Sequence, residues 1–157
     1  MTRPAVAARP TVTSPTSTSP ELLETAAFID RYGMNIIHVG RGCRCSGCAD
    51  TPLPRAQQFG YTIGLSGLGH PELLLRGFGA AETTAILSRW GEVVLDGDTL
   101  DAGHLLCEGR GGATWELVPV QRPSRTLHWA ARYYTSGEVD ALELIPARRP
   151  CSCGGCD

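Results

Sequence analysis

The spacing Cys-x-Cys-x-x-Cys occurs twice in the chain, and no other feature constrains the fold as much. Six of the seven cysteines belong to these two blocks: Cys43, Cys45, Cys48, Cys151, Cys153 and Cys156. Ser46-Gly47 and Gly154-Gly155 separate the paired thiols, and such small residues suit the tight turn that brings two thiolates onto one metal ion. We call residues 43–48 the first cysteine block and residues 151–156 the second.

Shared zinc is the leading interpretation of the two blocks. Zinc takes about four soft ligands in a tetrahedron at roughly 2.3 Å, so six thiolates exceed one site. Either two thiols are spare or the metal is a bridged pair. Four arginines flank the blocks and would offset the negative charge of the thiolates: Arg41, Arg44, Arg148 and Arg149. Plain solubility explains these arginines equally well.

Two other interpretations of the blocks remain open. Cys-x-x-Cys is also a redox dithiol spacing, although no thioredoxin-like βαβ pattern surrounds it. An iron–sulfur cluster or copper(I) also accepts thiolate ligands. The seventh cysteine, Cys107, stands alone in the apolar run "HLLCE", and we expect it to be a small core residue.

Strands and helices mix without strict βαβ alternation and the strand connections are short, which predicts an α+β fold with two layers, a mainly antiparallel sheet and about three helices. Helices are expected at 20–32, within "AAETTAILSRWGEVVLDG", and within "RTLHWAARYYTSG" after an N-cap at Ser124. Strands are expected at 34–40, in "FGYTIGLSG" and "PELLLRGFG" around a turn at 67–70, in a hairpin through 109–112, and in "VDALELIP".

The composition predicts a leader, a single domain and a tail, and it disfavours nucleic acid and membrane lipid as partners. Residues 1–19 are rich in Pro, Ser, Thr and Ala and predict a disordered leader. Residues 20–150 predict a single domain with a Cys-rich insert at 42–50, and residues 151–157 a tail that packs back on this insert. A net charge of −2 favours neither nucleic acid nor membrane lipid as a partner. No apolar run reaches a membrane span, so a cytoplasmic location with reduced thiols is expected.

The segment "FGYTIGLSGLGHPELLLRGF", residues 59–78, resembles the signature of a bacterial family catalogued as domain of unknown function 4262. The resemblance runs from about Tyr32 through Tyr134 and extends loosely toward Ile145. The family's name offers no activity, so the resemblance implies a shared scaffold and no reaction. Both cysteine blocks depart from the family's pattern, which indicates a metal site specific to a subgroup.

Within this segment His70 and Glu72 are the candidate catalytic residues. Pro71 holds His70 near an extended conformation, and the imidazole and the carboxyl group would form an acid–base pair. The structural interpretation is favoured over catalysis: His70 caps the turn through backbone hydrogen bonds and Glu72 satisfies a strand edge. Tyr61 and Thr62 would join a site here or serve as ordinary strand residues.

The sequence therefore predicts a small metal-thiolate protein that acts as a binding or structural module. Its surface near "GHPEL" would meet an unknown protein or small-molecule partner. An enzyme centred on His70 and Glu72 and a thiol-based redox or metal sensor are the alternatives. Among the other histidines, His38 is the best candidate for an additional ligand, because it lies five residues before Cys43.

Overall fold

The computed structural model describes residues 19–41, 52–109 and 112–147. Both cysteine blocks and nearly all of the predicted leader lie outside these residues. The described chain forms one six-stranded sheet with the strand order β1-β2-β3-β6-β5-β4. Of its five strand pairs, β3–β6 is parallel and the other four are antiparallel. The predicted α+β class and mainly antiparallel sheet are therefore confirmed.

The bounds of the elements follow the expected order along the chain. The strands are β1 (Asn35–Val39), β2 (Phe59–Ile63), β3 (Glu72–Arg76), β4 (Leu105–Cys107), β5 (Thr114–Pro119) and β6 (Ala141–Pro146). The helices are α1 (Pro20–Tyr32), α2 (Ala80–Leu95), α3 (Pro123–Thr126) and α4 (His128–Tyr133). None of these helices is long and apolar enough to cross a bilayer.

Helix α1 begins and ends where its sequence predicts. Pro20 occupies the first turn, where its missing N–H costs nothing. Gly33 ends the helix with φ 88°, and its N–H donates to Ile29 O. This left-handed cap is the conformation that glycine adopts without strain.

Helices cover both faces of the sheet, so the layering differs from the two layers predicted. Leu73 and Leu75 of β3 pack with α2, while Leu74 packs with α1 and α4. Successive strand residues point to opposite faces, and β3 carries three leucines in a row. A strand that is apolar on both faces requires a covering layer on each side.

Two local predictions were wrong, namely a single third helix and an N-cap at Ser124. The expected third helix is two short helices, because the chain breaks at Leu127, whose ψ is 56°. Ser124 lies inside α3 instead of capping it, and its hydroxyl donates to Gly137 O at 3.0 Å. The turn after β2 is a 3-10 helix, Leu65–Leu68, closed by Gly69 at φ 79°.

The strand register brings the last residues of β1, β3 and β6 to one end of the sheet. Val39 pairs with Phe59, and Phe59 pairs with Arg76, so β1 and β3 finish at the same end. Strand β6 runs parallel to β3 and finishes there too. Its Pro146 pairs with Trp115 at the start of β5. We call this end, where β1, β3 and β6 finish, the carboxyl end of the sheet.

Candidate functional site

The carboxylate of Glu72, the first residue of β3, is fully buried and accepts hydrogen bonds from four donors. Thr62 Oγ1 donates to Oε2 at 2.6 Å. The backbone N–H groups of Gly64 and Ser66 donate to Oε1, each at 3.0 Å. The Tyr134 hydroxyl donates to Oε1 at 2.5 Å. We call these five residues the Glu72 centre.

Local structure explains why these donors converge on one carboxylate. Gly64, which follows β2, has φ 129°, and this backbone conformation turns the chain into the 3-10 helix. The turn directs the amides of Gly64 and Ser66 toward the start of β3. Thr62 Oγ1 also accepts the N–H of Leu73 at 2.8 Å, so its hydroxyl links β2 to β3 beyond their backbone pairing. The centre therefore fixes the geometry of the whole turn.

Burial and hydrogen bonding act on the carboxylate in opposite directions. Removal from water raises the pKa of Glu72 above its ordinary value, and the hydrogen bonds from Thr62, Tyr134, Ser66 and Gly64 oppose this rise. Burial, together with the adjacent Glu72 carboxylate, also raises the pKa of Tyr134. Tyr134 thus stays protonated and remains a donor to the carboxylate.

His70 is buried, with 6% of its surface exposed, and its ring bonds to backbone on both sides. Leu100 N donates to Nε2 at 3.0 Å, and Nδ1 lies 2.6 Å from Pro71 O. Since Nε2 accepts, Nδ1 carries the proton and donates to Pro71 O. The imidazole therefore ties the turn before β3 to the segment that follows α2, as the structural interpretation of His70 expects.

His70 and Glu72 face different parts of the protein. The partner of His70, Leu100, belongs to the core cluster on the α2 face of the sheet. The partner of Glu72, Tyr134, packs against the cluster on the other face. No hydrogen bond joins the two side chains, so the described contacts explain each residue separately as a structural group. Catalysis by either residue stays a prediction.

The other polar candidates make local contacts. Tyr61 accepts the N–H of Trp129 at 3.1 Å through its hydroxyl oxygen, so of the Tyr61–Thr62 pair only Thr62 belongs to the Glu72 centre. His38 Nε2 lies 3.4 Å from Phe78 O. His104 Nδ1 accepts the N–H of Asp101 at 3.1 Å in an exposed turn. Each of these contacts is accounted for without a ligand.

The six cysteines predicted to bind metal, Cys43, Cys45, Cys48, Cys151, Cys153 and Cys156, lie outside the described residues. Among the residues described, no group of three or more His, Cys, Asp or Glu side chains is placed to hold a metal ion. Cys107 lies at the end of β4, half-buried, and is disulfide-bonded. The expectation that it is an unmodified core residue was therefore wrong, and its partner lies outside the described residues.

Sequence reasoning missed Tyr134 and the two backbone donors of the Glu72 centre. Tyr134 lies 62 positions from Glu72, and its place in "ARYYTSG" resembles ordinary aromatic packing. The amides of Gly64 and Ser66 carry no side-chain signal. The one available indication was a glutamate directly before three leucines, since a charged residue at the start of a fully buried strand requires partners.

Comparison with known protein families gives a match over most of the chain. Residues 28–149 match the family model described as Domain of unknown function (DUF4262). No curated protein and no solved structure matched the chain. The matched range includes His70 and the whole Glu72 centre, whereas the second cysteine block lies beyond its end. The match confirms the family indicated by "YTIGL" and "GHPEL". The chain belongs to the domain of unknown function 4262 family.

Proposed function

We propose that this protein is a metal-thiolate module in which zinc, held by the two cysteine blocks, fastens a loop and the chain's carboxyl-terminal segment to the sheet. The observation that carries the proposal is topological. The chain positions that flank both blocks lie at the carboxyl end of the sheet, although the blocks themselves are far apart in sequence.

The first anchor holds both flanks of residues 42–51 side by side. Arg41 and Pro52 form an isolated antiparallel bridge just beyond β1. Leu53 N donates to Gly40 O at 2.9 Å in the same place. The chain therefore departs after Arg41 and returns at Pro52 next to the same point, the end of β1.

The second anchor lies just beyond β6. Ala147 N donates to Thr114 O at 2.7 Å, which holds the chain at the carboxyl end of the sheet until four residues before Cys151. Two strands separate β6 from β1. Three strand spacings amount to roughly 14 Å, and four extended residues span up to about 13 Å. The two blocks are therefore within reach of each other, although β1 and β6 are not neighbours in the sheet.

Thiolate chemistry favours zinc for such a site. Zinc binds sets of four cysteine thiolates tetrahedrally as a structural ion, whereas an iron–sulfur cluster or copper(I) is the alternative that the same ligands accept. The proposal places the protein in a reducing compartment such as the cytoplasm, where thiols remain available. By analogy with disulfides, closing a loop of this length is worth on the order of 4 kcal/mol.

The test is elemental analysis of the full chain purified under reducing conditions. About one or two zinc ions per chain are expected, consistent with four to six thiolate ligands. Substituting serine for Cys151, Cys153 and Cys156 should remove the zinc and lower the unfolding temperature. The control, Glu116→Gln at an exposed position of β5, should retain it. A metal-free protein whose block cysteines react freely with a thiol reagent would overturn the proposal, as would full zinc content after loss of either block.

A thiol-based redox sensor is the second candidate, and one observation favours it. Cys107 is disulfide-bonded, and its strand partner Thr114 lies at the carboxyl end of the sheet, to which the block anchors also belong. In this alternative, a mild oxidant takes two electrons from the Cys107 thiolate and one block thiolate, these two sulfurs form the disulfide, and the metal that loses this ligand is released. Zinc release by mild oxidant that Cys107→Ser prevents would favour the sensor. Zinc content indifferent to oxidant would favour the structural site.

A further inference from the structure

A groove with a volume of about 340 Å³ lies between α1 and α2, above the start of β1. Phe28 and Tyr32 of α1 form one wall, with ring centroids 4.5 Å apart. These two residues are 47% and 52% exposed. The groove is within the size range of small-molecule sites, and none of its described lining residues belongs to the Glu72 centre.

The opposite wall is polar and comes from one face of α2. Thr84, Ser88 and Glu92 follow one another at intervals of four residues, so their side chains form a row along the helix. None of these three side chains makes a hydrogen bond or an ion pair with another described residue. The wall therefore offers two hydroxyl groups and one carboxylate to a ligand.

The floor of the groove is apolar apart from Asn35, which lies between Met34 and Ile36 in the lining. Met34, 8% exposed, and Ile36 rise from the chain at the start of β1, and Leu95 closes the groove at the end of α2. A ligand that fills the groove must therefore present apolar surface to the floor and to the aromatic wall. A charged group of the ligand would find its partner on α2, which contributes Glu92 to the lining.

The charge of the ligand's polar group follows from Glu92, the one charged side chain among the described residues that line the groove. Arg89, three residues earlier on α2, lies over the Trp90 ring with its guanidinium 5.9 Å from the ring centroid and makes no ion pair with Glu92. On the other wall the Arg31 guanidinium lies 5.2 Å from the Tyr32 ring centroid. The carboxylate in the lining favours a cationic ligand, and the Phe28 ring favours one too, whereas the Tyr32 ring already carries the Arg31 guanidinium.

We propose that this groove binds a small organic amine with a planar apolar body. The planar body stacks against Phe28 and Tyr32, and the ammonium group donates to the Glu92 carboxylate, with the Ser88 hydroxyl as a second acceptor. The proposal does not depend on the metal site, because no lining residue belongs to it.

The experiment measures amide chemical shifts of the isotope-labelled full chain during titration with tryptamine. Indole-3-propionate, which has the same ring and the opposite charge, is the matched probe. Tryptamine should shift the amides of Phe28, Ile36 and Ser88 with a dissociation constant of about 1 mM or tighter, as expected for a ligand of this size. Indole-3-propionate should bind about tenfold more weakly or not at all.

Single substitutions separate the two halves of the site. Glu92→Gln should weaken tryptamine binding about fivefold and abolish the preference for the amine, while Glu116→Gln, an exposed glutamate on β5, should change neither. Phe28→Ala should weaken both probes, and the exposed Leu23→Ala on the same helix should not. Equal binding of the two probes, absence of shifts in the groove, or indifference to Glu92→Gln would overturn the proposal. The spectra report folding of each variant directly.

Discussion

The hydroxyl of Tyr134 donates to Glu72 Oε1 across 62 positions of sequence. The same hydroxyl oxygen accepts the N–H of Gly64 at 2.7 Å. The Tyr134 side chain, which follows α4, therefore donates a hydrogen bond to the buried Glu72 carboxylate and accepts one from the turn that faces this carboxylate. The "YTIGL" strand and the "GHPEL" segment are held together by this centre, which depends on residues far from both.

Truncating Glu72 should be among the most damaging single substitutions. Glu72→Ala leaves three donors without an acceptor, since Gly64 N keeps the Tyr134 hydroxyl, and it opens a cavity. We therefore expect a loss of about 3 kcal/mol or more in the free energy of unfolding. Glu72→Gln keeps one acceptor oxygen, and its amide can donate to Thr62 Oγ1, so about 1 kcal/mol is expected. Urea denaturation at neutral pH measures both. Glu116→Ala, on an exposed site, is the control and should stay within about 0.5 kcal/mol.

The pH dependence of stability should carry the signature of a buried acid. The pKa of Glu72 is raised from 4.5 in the folded protein by burial, so above 4.5 the folded state holds a proton that the unfolded state has released. The stability from this group is complete below 4.5 and is lost as pH rises through the folded pKa. Wild-type protein should therefore lose stability relative to Glu72→Gln as pH increases from about 4 toward neutrality. A difference that grows in favour of wild type would contradict the raised pKa.

Tyr134→Phe removes one donor from the carboxylate and leaves Gly64 N with Glu72 as its acceptor. We expect a loss of about 1–2 kcal/mol in the free energy of unfolding, as for a hydrogen bond to a charged group. Tyr133→Phe is the matched control, because the Tyr133 hydroxyl makes no hydrogen bond with another described residue. A double-mutant cycle with Glu72→Gln should give a coupling energy of at least about 0.5 kcal/mol. Simple additivity would show that the two groups do not act together.

Sequence reasoning succeeded where one short segment decides its own structure. The limits of α1 follow from Pro20 and Gly33, and the apolar runs predicted the strands that form β1, β2, β3 and β6. Sequence reasoning failed where contacts between residues far apart in the sequence determine the structure. The two-layer expectation rested on the lack of strict βαβ alternation and on the short strand connections, but three leucines in β3 require a helix layer on each face.

The candidate site shows the same division. His70 and Glu72 were identified because a histidine and a glutamate stand out within an apolar segment, and the segment itself indicated the family. The partners that explain them, Leu100 N and Tyr134, come from elements placed by tertiary packing. A backbone amide has no sequence signal, so half of the donors to Glu72 were beyond prediction from the chain alone.

His70→Ala should test the structural interpretation of the imidazole. The substitution leaves the buried N–H of Leu100 without an acceptor, so a loss of about 2 kcal/mol in the free energy of unfolding is expected. His104→Ala is the control, because its acceptor contact with Asp101 N lies in an exposed turn that water can satisfy. If His70→Ala leaves stability unchanged, the hydrogen bonds of the imidazole to Leu100 N and Pro71 O do not stabilise the turn. The catalytic interpretation of His70 would then be favoured.

Replacing Gly64 by any other residue should destabilise the protein strongly, because no other residue fits its conformation and surroundings. Gly69, in the same turn, is the matched comparison. A Cβ on Gly64 would lie 2.7 Å from Gly33 O and 3.0 Å from Met34 Cα, both backbone atoms, at φ 129°. A Cβ on Gly69, at φ 79°, would meet nothing within 4 Å. Gly69→Ala should cost about 1 kcal/mol of backbone strain, whereas Gly64→Ala should cost about 3 kcal/mol or more, because the shift also displaces a donor from Glu72. Equal losses in thermal unfolding would mean that backbone strain alone governs the turn and that the Glu72 centre does not depend on the close approach of Gly64 to α1.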